Sequence, residues 1–341
     1  MTITEFQNTS TLQGSVSSPT VVDATFNYYR QVGFPYFKLS TDEKQRELDL
    51  LADFPHDDLI QNGTITQTMH GLSLAWSYHP HSWEVRCGTA MTPMEVFESD
   101  TNFRKAIEKR IKHGKGRLTP NSIRKALKSV TGAQGISNFR PSAAAAIYHT
   151  YLPESGGIVW DMSAGYGGRL LGAVACDRIA KYIGTDPCTK TMAGLRQTAS
   201  EIGRDGLEIE LQQIGSEEFV PEPNSLDLCF TSPPYFDTEK YSDEPTQSYI
   251  KFPERQSWLH GFLGTTLDNC WRGLKPDGKL IVNIANVKTY PTLEQDFVAL
   301  ATSNGWKLES TLQYALSPMM GTRKTRAAKF KYEPVFVLAK A

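Results

Sequence analysis

Ser232, Pro233 and Tyr235 bring a hydroxyl, a backbone carbonyl and an aromatic ring into one short turn. They follow Leu228-Cys229-Phe230, an apolar run of strand type, and Pro233 and Pro234 forbid its continuation into a sheet. Each proline also biases the residue before it towards extended backbone, so the geometry of the turn is preset. Two oxygen acceptors beside an aromatic face can grip both N–H bonds of an amine. When the amine lone pair is delocalised into a ring, that grip favours pyramidal nitrogen and aims the lone pair at an electrophile. A serine hydroxyl is too weak a base to act first, so proton loss is expected during or after bond formation. A strand leading into an inert Pro-Pro loop has the same composition, and the turn gains meaning only from what precedes it.

Upstream, Ile158-Val159-Trp160 reads as a buried strand, Asp161 to Gly168 as a glycine-rich turn and the residues from Arg169 as an apolar helix. Glycines 165, 167 and 168 let backbone approach a ligand where a Cβ would collide, and the helix start presents free N–H groups. A dinucleotide enzyme uses such glycines against a pyrophosphate, but Asp161 would repel a diphosphate and favour a cationic ligand. Tyr182 to Thr185 reads as a second strand, and Asp186 at its end can accept from two hydroxyls. Leu207 to Ile214 reads as a third strand, followed by Gly215-Ser216-Glu217-Glu218-Phe219, and Asp227 to Phe230 as a fourth. Polar tips at the carboxyl ends of successive strands line one edge of a parallel sheet.

Ser232-Pro233-Pro234-Tyr235 resembles the catalytic motif of the S-adenosylmethionine-dependent amino-methyltransferases of DNA. Asp161-x-Ser163-x-Gly165-x-Gly167-Gly168 resembles the cofactor loop of class I methyltransferases. The resemblance covers residues 136–341 and implies an α/β, Rossmann-like, mostly parallel sheet. Trp306 to Gln313 with Glu333 to Ala339 would be its closing C-terminal antiparallel hairpin. It implies S-adenosylmethionine as cofactor, held by Asp161, Ser163, Gly165 and Gly167, with Asp186 on the ribose and Ser216 or Glu217 at the adenine. Asn138 and Arg140, before a Pro-led helix, resemble the segment that closes over the methionine end. Ser232, Pro233, Pro234 and Tyr235 would be catalytic, with Tyr235 stacked on a base extruded from its helix. The serine variant is most similar to cytosine-N4 enzymes, so DNA is the expected partner and cytosine N4 the expected target. Adenine N6, an RNA base, a protein side-chain amide, and nucleic-acid binding without turnover are the alternatives.

The formal net charge of -1 gives no global pull towards nucleic acid, so contact must come from local clusters. Between Arg104 and Lys128 basic residues face the single acid Glu108, on two expected helices, Asn102 to Lys112 and Pro120 to Val130 with Thr119 as N-cap. Lys112, Lys115 and Arg117 are the expected phosphate contacts, with Arg323, Lys324 and Arg326 as a second cluster. The expected organisation is a tail over 1–20, an aromatic-rich and basic helical module over 21–135, and a catalytic domain over 136–341. Asp237 to Gln256 reads as a mobile substrate-facing loop, Trp258 to Leu274 as an amphipathic helix, and Asn283 and Asn286 as polar groups within reach of substrate. Scattered cysteines without Cys-x-x-Cys spacing, and His70, His79 and His81 in no familiar pattern, indicate neither disulfides nor metal. No apolar run spans a bilayer and the polar start lacks signal-peptide features, so a cytoplasmic protein is expected.

Overall fold

The computed structural model describes residues 18–113, 118–316 and 331–341. They fall into two compact units, residues up to Lys38 with Pro80–Ser137, and Leu39–His79 with Asn138–Ala341.

The first unit is helical, with Ser18–Val32, Asp100–His113 and Pro120–Leu127 packed around Phe26, Tyr29, Phe34, Trp83, Phe103 and Ile123. Thr119 caps the third helix by accepting from the Ser122 N–H, and Pro120 sits at the first helical position, where a missing N–H costs no bond. Much of the expected basic face is used inside this unit. Arg124 is buried, donates to the Pro35 carbonyl at 2.7 Å and lies 3.6 Å from the centre of the Phe37 ring. Burial lowers its pKa to about 10. Arg104 covers Phe26 at 4.0 Å and pairs with Asp23, Lys128 lies 4.7 Å over Trp83, and Lys109 donates to the Ser129 carbonyl. Long basic side chains cover aromatic surface with their stems and gain cation–π energy, so a one-sided count of charge overstates what faces solvent. Lys105, Lys112 and Lys125 stay exposed, whereas Lys115, Arg117, Arg323, Lys324 and Arg326 lie outside the described residues.

The second unit is built on a nine-stranded sheet. In chain order its strands are β1 (Ile60–Gln61), β2 (Thr64–Ile65), β3 (Gly157–Asp161), β4 (Ile179–Thr185), β5 (Glu208–Gln212), β6 (Leu226–Thr231), β7 (Leu274–Asn283), β8 (Trp306–Ala315) and β9 (Tyr332–Lys340). Their order across the sheet is β1-β2-β8-β9-β7-β6-β3-β4-β5. Strands β5, β4, β3, β6 and β7 run parallel, and β9 is antiparallel to both β7 and β8. The sheet is mostly parallel and is closed by an antiparallel hairpin, the arrangement expected from the sequence. Both faces are covered: Trp160, Cys229, Leu280 and Phe336 point into one core, and Val159, Phe230, Ile281 and Val337 into the other. Strands buried on both faces read as continuous apolar runs, which is why β3 and β6 show no alternation.

Several boundaries differ from expectation for physical reasons. Residues 39–79, expected within the N-terminal module, belong to the second unit: β2 pairs with β8, and Leu51 and Leu74 pack with Leu171. Lys275-Pro276-Asp277-Gly278, expected as a turn before a strand, bulges within β7, whose register with β6 jumps from Leu226–Leu274 to Leu228–Lys279. The helix expected from Trp258 begins as a π-helix over Trp258–Gly264 and becomes α over Thr265–Gly273. Among the described residues no helix is long and apolar enough to cross a membrane, and no three metal-ligating side chains converge. His79 is buried with Nδ1 2.9 Å from the Ala75 carbonyl, and burial lowers its pKa to about 4.

Candidate active site

From β3 the chain moves outward through β4 to β5, and from β6 it moves the other way to β7. The carboxyl ends of β3 and β6 therefore flank a topological switch point, the crevice where open α/β sheets bind ligands. The glycine loop leaves β3 there and the Ser-Pro-Pro-Tyr turn leaves β6.

Gly165 and Gly167 adopt φ of +57° and +74°, left-handed conformations that a Cβ strains. Behind the loop, Asp161 is fully buried. Its Oδ2 accepts from Arg169 Nε at 2.9 Å and from the Tyr182 hydroxyl at 2.6 Å, while Oδ1 accepts from the Ser163 N–H at 3.4 Å. Arg169 also donates to the Ser163 carbonyl. The Asp161 charge is thus neutralised from within, and the side chain fixes the loop. Ser163 takes part through its backbone in the same tie. Asn138 likewise braces the loop, its Nδ2 donating to the Tyr166 carbonyl at 3.0 Å, and the Arg140 N–H donates to the Tyr314 hydroxyl oxygen at 3.3 Å.

Asp186 is placed differently. Oδ1 accepts from the Cys188 N–H at 2.9 Å and Oδ2 from the Gly165 N–H at 3.0 Å. Burial raises its pKa to about 6, against the lowering effect of these two bonds. Each oxygen keeps a further lone pair, the acceptor capacity that a diol needs.

The third strand end divides the two adenine candidates. The Ser216 hydroxyl turns into the core and shares a 2.8 Å hydrogen bond with Thr266. Glu217 pairs with Lys251 at 2.8 Å. Lys251 belongs to the segment expected to be a mobile loop, and the structure pins that segment instead. Glu244 accepts from the Thr189 N–H at 3.2 Å and from its hydroxyl at 3.0 Å, at the start of helix Thr189–Ile202. Lys251 also bridges to Glu218.

At the turn after β6, the Ser232 hydroxyl donates to Asn283 Oδ1 at 3.2 Å. The Tyr235 hydroxyl lies 3.2 Å from Asn283 Oδ1, 3.3 Å from the Asn283 carbonyl and 3.1 Å from Glu333 Oε2. Asn283 is buried and held by donation to the Pro334 carbonyl at 3.0 Å. Phe236 follows with φ of +58°, uncommon for a bulky residue, and its ring is held edge-on by Trp258 at 5.8 Å and Tyr290 at 5.9 Å. Asn283, expected to face substrate, contacts the turn itself, and Asn286 is engaged elsewhere. It exchanges two 2.9 Å hydrogen bonds with Glu294 and serves as a local brace.

No family model and no curated protein matches the chain. Solved structures do. TrmN from Thermus thermophilus aligns with a TM-score of 0.40 at 19% identity, covering 59% of this chain and 49% of that one. Magnesium protoporphyrin IX methyltransferase from Synechocystis PCC 6803, crystallised with S-adenosylmethionine bound, aligns with a TM-score of 0.38 at 15% identity, covering 61% of this chain and 87% of that one.

Arg169, paired with Asp161, and Glu333, beside Tyr235, are the neighbours of the candidate residues that the sequence did not bring forward. An arginine directly after a glycine loop, with a buried strand acid before it, was a usable signal for the first. The second is a lone acid opening the otherwise apolar run of β9.

Proposed function

We propose that this protein transfers a methyl group from S-adenosylmethionine to an exocyclic amino nitrogen of a nucleic-acid base, with cytosine N4 of DNA the favoured target. The observation that carries this reading is the pairing of a glycine loop and a polar, proline-preset turn on neighbouring strand ends at the switch point. The residues present fit the cofactor at its ribose, where Asp186 offers unfilled acceptor positions, and along the loop, where glycines leave backbone open to a ligand. Glu217 would meet the adenine beside Lys251, whereas Ser216 contributes through the loop and not through its hydroxyl.

When bound, the cofactor supplies an electrophilic methyl group on a cationic sulfur. Ser232 and the Pro233 carbonyl hold the two amine N–H bonds and turn the nitrogen lone pair towards that methyl. Because the Ser232 hydroxyl donates to Asn283, its lone pairs are the part left to accept from an amine. Tyr235 offers its ring to the base while Asn283 and Glu333 fix its hydroxyl. Lys105, Lys112 and Lys125 are exposed cations on the described part of the basic stretch that would meet phosphates, while Lys109, also exposed, donates to the Ser129 carbonyl.

The test mixes the protein with methyl-labelled cofactor and DNA, RNA or protein extract, followed by digestion and mass measurement. N4-methylcytosine is the expected product, N6-methyladenine would move the target to adenine, and label in none of the pools would overturn the reading. A pH dependence accompanies it. Asp186 binds hydroxyls best as a carboxylate, so cofactor affinity measured by calorimetry should fall as pH drops through about 6, and Asp186→Ala should bind weakly at every pH. An Asp186→Ala variant with unchanged affinity would remove this residue from the site.

A further inference from the structure

Asn283 ends β7 beside the turn that leaves β6, and it is 2% exposed. Its amide has a donor end and an acceptor end, and the neighbours decide which points where. Nδ2 lies 3.0 Å from the Pro334 carbonyl, a group that can only accept, so the NH2 must face it. Oδ1 is thereby turned to the other side, 3.2 Å from the Ser232 hydroxyl and 3.2 Å from the Tyr235 hydroxyl. An amide oxygen cannot donate, so the single Ser232 hydrogen is directed at it. What Ser232 offers a substrate is then lone pairs alone, and the adjacent Pro233 carbonyl can likewise only accept.

We propose that Asn283 is a positioning residue that sets substrate polarity: by accepting the Ser232 hydrogen bond it makes the turn an acceptor-only site, which admits bases carrying an exocyclic amine and rejects bases carrying an oxygen in its place. The inference rests on the amine-methylation reading and deepens it by naming what excludes the oxo bases. An amine brings two N–H donors to two acceptors. The oxygen of uracil brings lone pairs against lone pairs and leaves both acceptors unpaired, a mismatch that hydrogen-bonding sites punish strongly. Without Asn283, the Ser232 hydroxyl could rotate and donate, and would serve an oxo base as readily as an amine.

Tyr235 does not depend on the Asn283 side chain in this way. Its hydroxyl is also 3.1 Å from Glu333 Oε2 and 3.3 Å from the Asn283 backbone carbonyl, and both acceptors survive a change of the side chain. Such a change therefore acts on Ser232 first.

A purely structural Asn283 would only tie β7 to β9 at Pro334, and two substitutions separate the roles. Asn283→Leu keeps the volume and removes both ends of the amide. Asn283→Asp keeps an acceptor for Ser232 but takes the NH2 from the Pro334 carbonyl. Methyl transfer from labelled cofactor to a random-sequence DNA pool is measured with a competitor pool in which deoxyuridine replaces deoxycytidine, or deoxyinosine replaces deoxyadenosine where the product is N6-methyladenine. The competitor's inhibition constant divided by the half-saturating concentration of the ordinary pool reads the preference for an amine. Asn283→Leu should lose about 10²-fold in single-turnover rate and about 10-fold in preference. Asn283→Asp should keep the wild-type preference, and calorimetry should find cofactor affinity unchanged in both. Ser232→Ala should lose preference as Asn283→Leu does, and adding Asn283→Leu to it should cost no more than about 2-fold further in rate. Wild-type preference in Asn283→Leu or in Ser232→Ala, or equal loss of preference in Asn283→Leu and Asn283→Asp, overturns the polarity role alone. A wild-type protein that labels no amine at all overturns the methylation reading, and the polarity role with it.

Discussion

Arg169→Ala is expected to lose about 3–5 kcal/mol of stability, the usual result of removing one member of a buried ion pair. Arg169 and Asp161 are 5% and 0% exposed, so the carboxylate left behind could not recover its hydration. It would keep only the Tyr182 hydroxyl and the Ser163 N–H, and the fork that holds the Ser163 carbonyl would be gone. Urea unfolding followed by circular dichroism measures the loss. Because the cost arises from an uncompensated charge and not from the pair itself, Asp161→Asn combined with Arg169→Met should be less damaging than Arg169→Ala. A loss below about 1 kcal/mol for Arg169→Ala, the range of exposed pairs, would show that the pair is solvated.

Gly168→Ala should damage both the fold and the site. A Cβ there would lie 2.0 Å from the Phe139 carbonyl oxygen and 2.8 Å from Asn138 Oδ1. Neither neighbour can give way easily. The Phe139 ring is stacked on Tyr314 at 4.8 Å and meets Phe230 edge-on at 5.3 Å, and Asn138 is tied to the Tyr166 carbonyl. Overpacking of this kind costs about 1–3 kcal/mol, occasionally more. Here the strain falls on the segment proposed to close over the cofactor, so calorimetry should find affinity reduced together with stability. Wild-type affinity in a destabilised Gly168→Ala protein would detach Asn138–Arg140 from the cofactor site.

Most of the parallel core of the sheet was legible because β3, β4, β6 and β7 each end an apolar run in a polar tip, and a strand buried on both faces can be read from composition alone; β5, Glu-Ile-Glu-Leu-Gln, alternates instead. Thr119 and Pro120 marked their helix start for a similarly local reason. Long-range pairings left no such mark. β1 and β2 are too short to carry periodicity, and β2 exists because β8 offers it an edge. Arg124 reads as a surface cation until Phe37 and the Pro35 carbonyl come into view, since the sequence does not reveal which stem lies over which ring. The candidate site shows the same division. Ser232, Tyr235 and Asp186 sit on strand ends that could be ordered in advance, whereas the inward turn of Ser216, the Lys251 pair of Glu217 and the approach of Glu333 to Tyr235 come from segments distant along the chain.

The placement of β9 has a consequence for assembly. It follows every other strand of the sheet along the chain, yet it lies between β7 and β8 and not at a border. Until it arrives, β7 and β8 each present an unsatisfied ladder of amide and carbonyl groups, open to mispairing with a second nascent chain. Removing Tyr332–Lys340 should therefore split the sheet in two instead of trimming it.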